Sequence, residues 1–311
     1  MKLMKLRMAL ALLLVLIFPF SALGDTLVDL PIDFTGGMVP LEKYEPGKMT
    51  YDDPSIHVER TYGDNTKYDC TFYRVDIKIA DASQLRTESA AGGANGFKTR
   101  QKVPVAVMSR RTNAVVCMNG DYYGDHAGSL VLRQGVMFRE VTETLRDLLL
   151  IDEDGDLHVI LAGNRDTEET LGKKQPATPV THEQLTEING KKILQGFEFG
   201  PCIILNGKIV EAHPKSVVHP PKSQSWNRAQ RICLCQIGPL EYRIVACADF
   251  GLSVQDFAKM VLEMGGVQTA YMFDGGLSAQ IIFLNAKVNQ TQDKSPRPVS
   301  DCIYFASAYQ K

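Results

Sequence analysis

Four times along this 311-residue chain, an apolar run breaks at a tight-turn signal and then resumes. Ser129–Leu132 leads through Gln134-Gly135 to Val136–Arg139, and Leu148–Asp152 through Asp154-Gly155 to Leu157–Leu161. Cys202–Leu205 leads through Asn206-Gly207 to Lys208–Val210, and Arg231–Gln236 through Gly238-Pro239 to Tyr242–Ala248. Glycine and asparagine supply the positive φ that short hairpin turns need, so each break reads as a β-hairpin. So much hairpin confines the chain to an α+β fold: a large mixed, mostly antiparallel sheet system with few helices.

The helices that remain carry clear end signals. Val103–Arg111 begins beside Pro104, and Thr181 with Gln184 forms a capping box for a short helix. Ser253 caps a longer one, in which Phe257, Val261 and Met264 form an apolar stripe and Gly265-Gly266 ends the run. This last helix sits between two strands, one ending at Asp249 and the other, Thr269–Phe273, ending at Asp274. Strand, helix and strand in so short a span predict a parallel βαβ unit with a right-handed crossover. Both acids then emerge at the carboxyl edge of the sheet, where open α/β sheets hold ligands, within roughly 5–10 Å of each other.

The amino terminus reads as an export signal. Lys2, Lys5 and Arg7 precede an apolar run of about 13 residues, too short to span a bilayer, and Ala22-Leu23-Gly24 offers the small residues of a cleavage site. Residues 1–24 are therefore expected to be a signal peptide, 25–50 an irregular lead-in and 51–311 the catalytic domain, with no transmembrane anchor left after cleavage. Cleavage would remove 3 of the 34 Lys and Arg and none of the 36 acids, leaving a charge of 31 − 36 = −5. Such mild acidity gives no footprint for nucleic acid. Of the seven cysteines, five lie in apolar strand-like runs and none has zinc-ribbon spacing. They read as buried thiols, with one bridge involving Cys70 or Cys302 as the alternative. The six histidines show no HxH or HxxxH grouping, and neither a metal nor a cofactor is expected.

Three clusters carry chemistry. Asp274 precedes Gly275-Gly276 and Ser278; successive N–H groups in such a turn can form an anion-binding nest, and the serine adds a hydroxyl. Asn119-Gly120-Asp121-Tyr122-Tyr123-Gly124 directly follows the apolar strand Val115–Met118, a set able to hydrogen-bond and stack a sugar. Trp226-Asn227-Arg228 places an arginine where a strand opens, able to grip a phosphate bidentately. Each also has a plain reading as a turn, a cap or a solvated strand end.

Taken in order, the clusters resemble the phosphodiester glycosidase family, one of whose members removes α-N-acetylglucosamine from a phosphodiester-linked cap. The segments that carry the resemblance are Asn119-Gly120-Asp121-Tyr122, Asn227-Arg228-Ala229, Ala248-Asp249-Phe250, Gly251-Leu252-Ser253, Phe273-Asp274-Gly275-Gly276-Leu277-Ser278, Val288-Asn289 and Arg297-Pro298-Val299-Ser300-Asp301. Leu277 replaces a third glycine, the arginine segment keeps only its arginine, and the loop at Phe250-Gly251 is short and lacks an arginine.

The resemblance implies an exported hydrolase that cuts a sugar-1-phosphodiester, secreted or held at a bacterial cell envelope, with a phosphodiester-linked glycan as its partner. Within it, Asp274 is expected as nucleophile or electrostatic stabiliser and Asp121 or Asp249 as general base. Arg228 would clamp the phosphate with the backbone of Gly275 and Gly276. Asn119, Tyr122, Ser278, Asn289 and Arg297 would bind or position substrate. A non-catalytic glycan-binding envelope protein and a phosphodiesterase cutting the P–O bond are the alternatives.

Overall fold

The computed structural model describes residues 36–93, 95–163, 165–166, 176–211, 213–214, 228–291 and 295–309. The expected signal peptide, the first part of the lead-in, and Trp226 and Asn227 lie outside them. Every strand pairing among the described residues is antiparallel. Three sheets dominate. An eight-stranded sheet runs in the order 50–53, 56–65, 70–79, 241–252, 229–238, 269–273, 202–205, 208–209. A five-stranded sheet runs 286–287, 281–283, 114–119, 301–306, 85–89, and a six-stranded one runs 157–160, 148–152, 191–198, 131–133, 136–139, with 187–188 also pairing with 191–198.

All four hairpins form. Positive φ falls at Gln134 and Gly135 in the first, at Gly155 in the second and at Asn206 and Gly207 in the third. In the fourth it falls at Leu240, after the Gly238-Pro239 pair, because Gly238 still pairs with Glu241. Three α-helices occur among the described residues: Val105–Arg111, His182–Thr186 and Val254–Glu263. The first starts after Pro104, which sits at its N-cap. Ser253 caps the third by accepting the Asp256 N–H at 3.1 Å.

The apolar strands are continuous in sequence because both of their faces are covered. Ile232, Leu234, Ile244 and Phe273 point one way, onto Val116, Met118, Ile303 and Phe305 of the five-stranded sheet and Leu149 and Phe197 of the six-stranded one. Cys233, Cys235, Val245 and Met272 point the other way, beneath Phe257, Met260 and Val261 of the third helix. The first helix covers the outer face of the five-stranded sheet through Val105 and Met108. All seven cysteines are buried, and none forms a disulfide. Within the expected lead-in, Tyr44 is buried and donates its hydroxyl to the Asn113 carbonyl at 3.0 Å, so this part packs against the body of the fold.

The expected βαβ unit takes a different form. Strand Glu241–Leu252, helix Val254–Glu263 and strand Thr269–Phe273 follow one another, but strand Ala229–Gly238 is hydrogen-bonded between the two strands. They run in the same direction without being neighbours. The hairpin partner takes the adjacent place, which moves Asp249 and Asp274 one strand further apart than expected.

Arg133 ties the two smaller sheets together from a fully buried position. Its guanidinium reaches Asp121 Oδ1 at 2.9 Å and Asp301 Oδ2 at 3.0 Å, donates to the Gly196 carbonyl, and lies 4.0 Å from the centroid of the Phe197 ring. A Cβ at Gly120 would collide with the Asp301 carboxylate, so glycine is required where these chains converge. Breaking a buried ion pair from one side leaves uncompensated charge. Arg133→Met is expected to cost about 3–5 kcal/mol, measured by urea denaturation against the parent. A loss below about 1 kcal/mol would show that Asp121 and Asp301 stay compensated without it.

Candidate active site

Strand Thr269–Phe273 delivers Asp274 at the edge of the eight-stranded sheet, and the chain then turns through Gly275 into the short 3-10 helix Gly276–Ser278. A Cβ at Gly275 would strike the Gln230 carbonyl, so only glycine lets this turn lie against the neighbouring strand. From the five-stranded sheet, Asn119 donates to the Asp274 carbonyl at 2.9 Å and accepts the Gln280 N–H at 3.1 Å. Gln280 in turn donates to the Arg297 carbonyl at 2.8 Å and accepts the Val105 N–H at 3.2 Å. Two amides thus bind the aspartate turn, the first helix and the Arg297 segment into one frame.

The Asp274 carboxylate is the least satisfied of the groups named in this frame. Its Oδ2 is buried and has no hydrogen-bond partner among the described residues. Burial pushes its pKa above the ordinary carboxylate value. The Ser278 hydroxyl and the charges of Arg297 and Lys102 pull it back down, while Asp125 pushes it up. Arg297 is exposed and reaches the Ser278 hydroxyl at 3.5 Å. Lys102 pairs with Asp125 and lies 5.2 Å from the centroid of the Tyr122 ring. Tyr122 holds a φ of 70°, strained for a tyrosine, and its ring meets His126 edge-on at 5.2 Å. The result is a half-buried carboxylate facing two cations and a tyrosine.

Of the residues expected from sequence, Asp274, Ser278, Tyr122 and Arg297 come together here, with Gly275 and Gly276 forming the turn. Asn119 reaches the site as well, but fully buried and with its amide engaged by backbone; it holds Asp274 in place and is not available to substrate. Asn289 is buried in the same way, bonding the Ile281 N–H at 2.7 Å and the Ala279 carbonyl at 2.8 Å. Asp121 cannot serve as a base facing solvent. It is fully buried, paired with Arg133, and accepts the N–H groups of Tyr123 at 3.3 Å and Glu198 at 3.1 Å.

Arg228 and Asp249 stand apart. Arg228 donates to the carbonyls of Gly251 at 3.0 Å, Asp69 at 2.8 Å and Tyr68 at 3.3 Å, which orders the loop between two strands. Asp249 accepts the Thr71 N–H at 2.9 Å, and strand Ala229–Gly238 separates its strand from that of Asp274. The sequence reading missed Lys102 and Asp125. Asp125 follows the Asn119–Gly124 cluster directly, a usable signal; Lys102, in the approach to the first helix, offers none.

A family model described as phosphodiester glycosidase matches residues 112–306, well over half of the chain. None of the curated proteins matches the sequence. Among solved structures, a zebrafish N-acetylglucosamine-1-phosphodiester alpha-N-acetylglucosaminidase catalytic domain, auto-inhibited by pro-peptide, shares the fold. Its TM-score is 0.62 at 13% identity, over 85% of this chain and 88% of that one. A hypothetical protein from Synechocystis matches with a TM-score of 0.49 at 14% identity, over 84% of this chain and 64% of that one.

A carboxyl whose folded pKa is raised holds its proton more tightly in the folded state. Its contribution to stability is complete below the unfolded value, about 3.9, and is lost as pH rises through the folded one. Asp274→Asn is therefore expected to raise the melting temperature at pH 7 and to leave it unchanged near pH 3. Calorimetric melting at both pH values tests this. A lower melting temperature at pH 7 would mean that the carboxylate supports the fold.

Proposed function

Since the chain belongs to the phosphodiester glycosidase family, we propose that it is an exported hydrolase that cuts the bond between an anomeric carbon and a phosphodiester oxygen. The observation that carries this reading is the Asp274 carboxylate, whose buried Oδ2 has no partner among the described residues while the charges of Arg297 and Lys102 act on it. Breaking the C–O bond places positive charge on the anomeric carbon and negative charge on the departing phosphate. Asp274, ionised, answers the first as nucleophile or electrostatic stabiliser; Arg297 and Lys102 answer the second. Arg297 thereby takes the part first given to Arg228.

A phosphodiester oxygen is a weak base, so it departs without a strongly tuned acid to protonate it. Water delivers its hydroxyl to the anomeric carbon and its proton to the phosphate side, giving a free sugar and a phosphomonoester. Tyr122 offers its ring face to the sugar. Asn119 and Gln280 hold the Asp274 turn in register, and Asp125, exposed beside Lys102, takes the part of base for the water. The finer assignments, export and the identity of sugar and aglycone are part of the proposal. Among the described residues no helix is long and apolar enough to cross a membrane.

Asp274→Asn keeps the shape of the side chain and removes its charge. Turnover of a sugar-1-phosphodiester is expected to fall by about 10³-fold or more, with the fold intact by circular dichroism. Hydrolysis by the parent in heavy-oxygen water is expected to place the label in the sugar. Label in the phosphate would instead establish P–O cleavage, and full activity of the asparagine variant would remove Asp274 from the chemistry.

Arg297→Gln separates binding of the phosphate from binding of the sugar. The variant is expected to lose roughly 10–100-fold in kcat/KM on a phosphodiester and much less on an aryl glycoside of the same sugar. Losing an opposing charge also raises the Asp274 pKa further, so the acid limb of the rate profile moves to higher pH. Equal losses on both substrates with an unmoved acid limb would assign Arg297 to the frame alone.

A further inference from the structure

Beyond the Asp274 turn, the rim between strand Ile56–Asn65, strand Cys70–Ile79 and residues 287–290 encloses an open cleft of about 290 Å³. That is near the lower end of the range of ligand pockets, suited to one sugar unit. Tyr62 and Tyr73 are cross-strand partners with nearly parallel rings, centroids 6.2 Å apart and planes at 20°; Tyr73 is buried and Tyr62 is 60% exposed. The inner ring holds the outer one in place and leaves it facing the cleft.

Two cations flank these rings. Arg60 lies 5.8 Å from the centroid of the Tyr62 ring, its Nη2 donates to the Met49 sulfur at 3.1 Å, and its buried Nε has no partner among the described residues. Lys287 is exposed and donates to the Thr291 hydroxyl at 2.7 Å; loss of hydration pushes its pKa down, and no carboxylate among the described residues offsets it. The acids in the neighbourhood, Asp249 and Asp64, act on Tyr73. A rigid aromatic face beside two cations that no carboxylate among the described residues pairs with is the complement of a sugar bearing an anion.

We propose that this cleft binds a phosphorylated sugar unit, stacking its ring on Tyr62 and pairing its phosphate with Arg60 and Lys287. The register relates it to the candidate active site. Phe72 pairs with Cys247, Cys247 with Arg231, and Ile232 with Phe273, so Tyr73 and Asp274 lie near one row across the sheet. Three strand spacings separate them, roughly 14 Å. That the bound unit is part of the substrate rests on the activity proposed above. The substrate is then an oligomer with repeated sugar phosphates, held at two anions, and not a single capped sugar.

Calorimetric titration of the full chain with glucose 6-phosphate tests the cleft independently of turnover. Binding is expected, and an Arg60→Gln/Lys287→Gln variant with an unchanged melting temperature is expected to lose about tenfold or more in affinity, as Tyr62→Ala should. Unchanged affinity in the double variant, or loss in Arg297→Gln in its place, would overturn the site. Inorganic phosphate binding as tightly as glucose 6-phosphate would overturn the sugar part. Kinetics then test the link to substrate: the double variant should raise KM about tenfold for a phosphodiester-linked oligomer and leave it unchanged for a single sugar-1-phosphodiester. Lost glucose 6-phosphate binding with an unchanged oligomer KM would overturn that link while leaving the Asp274 chemistry standing.

Discussion

The guanidinium of Arg133, fully buried between two sheets, fixes the geometry on which the candidate site rests. It anchors Asp121 just beyond strand Ala114–Asn119 and Asp301 at the start of strand Asp301–Ala306, and it reaches the backbone of strand Lys191–Glu198. Two carboxylates share one cation here, and the consequence falls on Asp301: burial and the neighbouring charge of Asp121 push its pKa up to about 7. The planar, forked guanidinium can meet both acids and a carbonyl at once, which a lysine ammonium at the end of a flexible stem does not reproduce. With Asp121 held in this way, Asn119 two residues earlier is placed to reach the Asp274 turn.

What sequence reveals about this fold is what is local. Hairpins were legible because alternation and turn residues act within ten or so positions, and the helix caps at Thr181 and Ser253 are equally local. Strand order is not local. Proximity in sequence led to adjacent parallel strands around the third helix, but the hairpin of Ala229–Gly238 with Glu241–Leu252 already occupied the intervening place. The family resemblance rests on the order of several motifs and holds over residues 112–306, while Asp121, Asp249 and Arg228 are placed away from the Asp274 turn.

The candidate site was half legible for a related reason. Asp121 and Asp274 look alike in sequence: each is an acid just after an apolar strand, next to glycine. What separates them is Arg133, twelve positions past Asp121 on another strand, and nothing in the sequence says that it turns inward. Arg228 likewise read as a phosphate ligand because an arginine opening a strand could do that, yet three backbone carbonyls claim its guanidinium. Lys102 was invisible, since only the tertiary fold carries it to Tyr122 and Asp125.

These differences share one physical cause, which also separates framework from chemistry at this edge of the sheets. A buried carboxylate is stable only when its charge is answered, and the fold answers Asp121 with Arg133 and the N–H groups of Tyr123 and Glu198. Asp274 receives less: one serine hydroxyl near it, two cations at a distance and a buried oxygen without a partner among the described residues. The fold tolerates that shortfall because Asn119 and the tight turn at Gly275 hold the backbone, not the carboxylate. An acid kept in place by its backbone and left unsatisfied at its oxygen gains most when positive charge forms beside it. That is the condition met when a sugar loses its phosphate, and a fully hydrogen-bonded carboxylate such as Asp121 would gain little from it.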